Sequence, residues 1–340
     1  MGNNRTLCRR QNLLIAGFVA FFALCASIQF ARAEDPALVV GPNECAECHK
    51  KETSIWQKTH HFSTFRDLPR TKEATEIAEK MGIRRIKSDS ACLNCHFTEK
   101  LEDGKPEPIA GIACESCHGS GKDWYKVHSG FSGKKEGQET PDEIKARWAK
   151  SEAAGMIRPS MIYTLARNCF SCHLVPDEKL VNVGGHAAGS AFELVAWSQG
   201  EIRHNTWYNK GASNPAASTE RQRMLFIVGR IAELETALIG VSKATTKADY
   251  ALKMATRANN ARKVMASLAK LLPDAPELME IAQIGAKAGL KLNNEAELKD
   301  AAGKISVLGL KFANAYDGKA FAAVDKYLPA PDKYKGTVSN

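Results

Sequence analysis

Four copies of one short pattern constrain this chain more than anything else in it. Cys45-Ala46-Glu47-Cys48-His49, Cys92-Leu93-Asn94-Cys95-His96, Cys114-Glu115-Ser116-Cys117-His118 and Cys169-Phe170-Ser171-Cys172-His173 all read C-x-x-C-H, using eight of the ten cysteines. Two thiols three positions apart share one helical turn, from which they reach the two vinyl groups of a haem as thioethers, and the adjacent His falls under the iron. A structural zinc site or a disulfide framework also pairs cysteines, but neither accounts for a His after every second Cys. Four covalently bound haem c groups are therefore expected, with His49, His96, His118 and His173 as proximal ligands.

The two remaining cysteines, Cys8 and Cys25, lie within the first 33 residues. That stretch has a basic start (Arg5, Arg9, Arg10), an apolar run from Leu13 to Ile28 and a small-residue stop at Ala31-Arg32-Ala33, the pattern of an export signal. Cleavage after Ala33 and a periplasmic location follow from it; an uncleaved membrane anchor is the alternative. Losing residues 1–33 removes Arg5, Arg9, Arg10 and Arg32 and no acid, so the formal charge falls from +9 by 4 to +5. With scattered lysines and an exported chain, nucleic acid is excluded as a partner, while redox proteins are the expected ones.

Four proximal histidines leave His60, His61, His128, His186 and His204. A haem face without a sixth donor is open to small molecules, so these five decide the chemistry. His61 lies twelve residues after His49, His128 ten after His118 and His186 thirteen after His173. Reaching the far face of its own haem over so short a span would make the chain circle the macrocycle, so each is expected to cross to a different haem. His60, beside His61, is the spare.

A mainly α fold is expected: a multihaem cytochrome c domain over residues 34–212 with little regular strand, then a bundle-like helical region over residues 213–340 without haem. Thr140-Pro141-Asp142-Glu143 reads as a capping box opening a helix to about Ala154. No alternating strand pattern stands out between the motifs, which reads as helices and loops. From Ser218 there is no Cys or His, and Met224, Ile227, Val228, Ile231, Leu234, Leu238 and Val241 recur at helical spacing. Similar stripes run to Leu328 with breaks at Pro273–Pro276 and Asn293-Asn294.

Residues 43–205 resemble the cytochrome c554 family of tetrahaem electron carriers. The likeness rests on Cys45–His49 followed by Trp56 and His61, on Gly111-Ile112-Ala113 leading into Cys114–His118 and Gly119, and on the close second and third motifs. The resemblance implies that His128 ligates the haem of the first motif, His61 that of the fourth and His204 that of the third, with porphyrins closely stacked. His186, in Gly184-Gly185-His186, is an addition to the family pattern that is available to close the haem of the second motif, which in the family lacks a sixth protein ligand. The leading expectation is a non-enzymatic electron carrier. An enzyme acting on a small nitrogen or sulfur compound at one open haem, or a subunit of a haem wire, membrane assembly or larger redox complex, are the alternatives.

Overall fold

The segment carrying the motifs folds into short helices, because C-x-x-C-H needs little more than one turn to align its three functional groups. A computed structural model describes residues 35–339 of the chain, so the export-signal reading of residues 1–33 lies outside the described residues. Helix α1 (Pro42–Ala46) has Pro in its first turn and enters the first motif. Next come α2 (Lys50–Trp56) and α3 (His60–Asp67), the latter capped by Thr59, whose hydroxyl accepts from the Phe62 amide. Helix α4 (Lys72–Met81) stops at Gly82 in the left-handed conformation, and α5 (Ser90–His96) holds the second motif.

Where helices and loops are expected, residues 98–110 instead form an antiparallel hairpin of β1 (Thr98–Glu102) and β2 (Lys105–Ala110). Glu102 pairs with Lys105 across Asp103 and Gly104, whose φ values of 48° and 78° are both positive, as a two-residue type I′ turn requires. Beyond it, α6 (Cys114–His118) is the third motif, followed by α7 (Tyr125–His128) and α8 (Pro141–Ala153). The capping box of α8 is present: the Thr140 hydroxyl accepts from the Glu143 amide, and the Glu143 carboxylate accepts from the Thr140 amide. The fourth motif ends α9 (Ile162–His173), and α10 (Glu178–Asn182) and α11 (Leu194–Ser198) complete the segment.

Four long helices follow: α12 (Thr219–Ser242), α13 (Asp249–Leu271), α14 (Pro276–Lys287) and α15 (Glu295–Ala315). The breaks around Pro273–Pro276 and Asn293-Asn294 separate them where the periodicity lapses. Ile227, Val228, Ile231, Leu234 and Leu238 are fully buried, which makes α12 the central helix, apolar on nearly all sides and packed against α9, α13 and α15. Helix α9 adds Ile162, Tyr163, Ala166 and Phe170 to the same core. Its close crossing with α15 needs Gly309, where a Cβ would lie 2.3 Å from the Tyr163 ring. The fourth motif thus rides on a helix anchored in the bundle. Among the described residues, no helix is long and apolar enough to cross a membrane.

Candidate haem sites

Each motif His faces a second imidazole. Ring centroids are 6.3 Å apart for His49 and His128, 6.3 Å for His61 and His173, 6.4 Å for His96 and His186, and 6.2 Å for His118 and His204. A ligating imidazole nitrogen sits about 2.0 Å from its metal and the ring centre about 1.2 Å behind it, so two rings flanking one iron stand roughly 6.4 Å apart. The four separations fit a single iron in each gap. Among the described residues, no group of three or more His, Cys, Asp or Glu side chains converges on a metal-sized site. Opposed pairs suit a metal whose other four positions are filled by a macrocycle.

The surroundings hold these rings in their ligating form. Burial pushes His96 and His173 down to about 4 and lowers His49, His61, His118 and His128, so the rings stay neutral with a lone pair available. Nδ1 of His118 donates to the Ile157 carbonyl at 2.9 Å, His186 to Ala187 at 2.8 Å and His204 to Ile202 at 2.6 Å. A carbonyl only accepts, so Nδ1 carries the proton and Nε2 is left to bind. His60 is turned outward instead, its Nδ1 2.8 Å from Glu201 and its side chain 85% exposed.

Three conspicuous residues near the motifs acquire a physical role. The Trp56 indole donates to the Ile112 carbonyl at 2.7 Å, and the Ile112 amide donates to the His61 carbonyl at 3.0 Å, so Trp56 and Ile112 together fix α3 against the strand leading to the third motif. Glu115, inside that motif and 2% exposed, accepts from the amides of Val40, Gly41 and Gly121 at 2.9, 2.7 and 2.6 Å. Gly41 immediately precedes α1, so this carboxylate ties the first motif to the third. The motifs also touch directly: the Asn168 amide reaches the Cys117 carbonyl at 3.3 Å, and Cys172 Sγ lies 3.9 Å from the Asn94 carbonyl. The order of contact is first, third, fourth, second. Sequence reasoning passed over Glu115 because nothing in C-E-S-C-H tells a buried Glu from a solvated one.

Covalent haem motifs on a helical scaffold define a c-type cytochrome, a class that holds haem c and serves electron transfer. More particularly, residues 44–119, which contain the first three motifs, match the family model described as cytochrome c554 and c-prime. The chain is also 29% identical over 145 residues to cytochrome c-554 of Nitrosomonas europaea, an alignment covering 39% of this chain and 57% of that protein. It resembles the cytochrome c554 family over this segment and spans little more than half the length of that relative. No solved structure matches the chain.

Proposed function

We propose that this chain is an exported, periplasmic tetrahaem cytochrome that carries electrons between redox proteins through four bis-His haems. The observation that carries the reading is the set of four opposed imidazole pairs, each joining one motif His to one of His128, His61, His186 and His204. Cys45 and Cys48, Cys92 and Cys95, Cys114 and Cys117, and Cys169 and Cys172 would supply the thioethers. Once bound, haem contributes a one-electron ferric/ferrous couple, and His on both faces favours a low potential because no Met ligand raises it. The chain's own work is to hold the rings, keep them neutral and set neighbouring motifs in contact. Residues 34–212 bear the haems on this reading, and residues 213–340 are their scaffold.

His186 opposite His96 supports a carrier over an enzyme, since it fills the position an open haem would need. Intact mass and low-temperature electron paramagnetic resonance test the proposal together. The expected result is a mass increment of four haems with every iron low-spin. The nearly parallel rings of His49 and His128 (13°) should give a rhombic signal and the crossed rings of His118 and His204 (88°) a strongly anisotropic one. Free thiols, bound zinc or a high-spin iron in the oxidised protein would reject it.

A further inference from the structure

Arg147, on α8, has a largely covered side chain although it belongs to no haem motif. Its side chain is 8% exposed and that of its partner Glu139 only 3%. The guanidinium grips the carboxylate as a fork, with Nε 2.8 and 3.0 Å from the two oxygens and Nη2 2.6 Å from Oε2. The Ser132 hydroxyl donates to the same carboxylate at 2.8 Å. The rings of Phe131 and Trp148 lie 5.2 and 4.5 Å from the guanidinium carbon, within cation–π range. The third nitrogen is engaged as well: Nη1 donates to the main-chain carbonyl of His128 at 2.5 Å.

That target explains the pair. His128 is the last residue of α7, a helix of four residues, and its carbonyl has no intrahelical partner. A single turn is too short to hold its own shape, yet a ligating imidazole must stay within a few tenths of an ångström of its place. Helix α8 is thirteen residues long with a complete capping box, and it supplies the rigidity that α7 lacks. A Lys at this position would have the charge but not the planar fork that grips Glu139 and a carbonyl at once.

We propose that Arg147, aligned by Glu139, is the positioning residue that fixes His128 as the sixth ligand of the haem on the first motif. The proposal rests on the ligand pairing above. In full-length, haem-loaded Arg147→Gln protein, the expected result is loss of one of four low-spin signals, the other three unchanged, and carbon monoxide binding by one ferrous haem. Arg147→Lys should recover part of the lost signal. Four unaltered low-spin signals in Arg147→Gln overturn the proposal. If that variant does not accumulate with haem attached, Arg147→Lys decides: a change confined to one haem supports the role and no change overturns it. His128→Ala, measured alongside, separates the two layers. If it converts one haem while Arg147→Gln converts none, the positioning role alone fails; if it converts none, the pairing fails and the proposal with it.

Discussion

Replacing Glu115 should unfasten the first motif from the third, and the cost can be worked from three distances. Its carboxylate accepts from the amides of Val40, Gly41 and Gly121 at 2.9, 2.7 and 2.6 Å, in a place where its own exposure is 2%. Each buried amide left without an acceptor costs about 1–3 kcal/mol, and the three share one site whose collapse or hydration recovers some of it. Glu115→Ala should therefore lose about 3–5 kcal/mol. Glu115→Gln keeps the volume and one acceptor oxygen but turns an NH2 group toward an N–H donor, so a loss of about 2 kcal/mol is expected. Urea unfolding of the haem-loaded protein, followed by far-ultraviolet circular dichroism, reads both. With a slope of about 3 kcal/mol per molar, the midpoint of Glu115→Ala should fall by roughly 1 M or more. An Ala variant within about 0.5 kcal/mol of wild type would show that the carboxylate carries no such load.

Other expectations follow from single contacts. Trp56→Phe removes the donor to the Ile112 carbonyl and should cost about 2 kcal/mol, read as a lowered urea midpoint; an unchanged midpoint would disconnect the indole from the His61 segment. Glu235, paired with Arg167 at 3.0 Å and receiving a hydrogen bond from Tyr163, is raised above its usual 4.5 because burial outweighs both partners. The folded state then holds that proton more tightly than the unfolded state, so stability is expected to fall as pH rises from 4.5 toward the folded value; Glu235→Gln should remove this part of the slope, and parallel pH profiles would refute it. Finally, with an imidazole opposite every motif His, the reduced wild-type protein should show no carbon monoxide-induced shift of its Soret band; a shift in one haem of four would mean an open iron.

What a sequence displays depends on whether the physics is local. The C-x-x-C-H motifs are legible because covalent attachment fixes both residue type and spacing, and the long helices because a buried stripe must repeat every 3.6 residues. The Thr140 capping box is equally self-contained. The hairpin is harder to read: Lys105, Pro106 and Pro108 break the polar alternation of β2, and only the Asp103-Gly104 pair advertises the turn. Buried acids are not legible at all. Glu115, Glu235 and Glu139 read like any other Glu, and the partners of the first two lie as far as 75 and 72 residues away along the chain. The buried stripe of α9, Ile162, Ala166 and Phe170, does have helical spacing, but a boundary drawn on where Cys and His stop places it with the haem motifs rather than with the bundle it packs against.

That placement gives the His-free helices a definite part in the haem region. The Glu178 carboxylate, at the start of α10, accepts from the amides and hydroxyls of both Thr245 and Thr246 in the connection between α12 and α13. One turn later the Asn182 side chain accepts from the Tyr250 amide. The bundle therefore holds α10 at both ends, and the Gly184-Gly185-His186 loop leaves from its second anchor. Further along the chain, Arg257 of α13 donates to the Ser190 carbonyl at 2.8 Å while the Ser190 hydroxyl sits 3.3 Å from Nδ1 of His173. The Phe192 ring stacks on the same imidazole at 4.5 Å. A region without a single Cys or His thus reaches both the motif His of the fourth site and the loop that sets His186 opposite His96. Rings of the second and fourth motifs keep their positions because a packed helical core, with side chains that cannot shift independently, stands behind them.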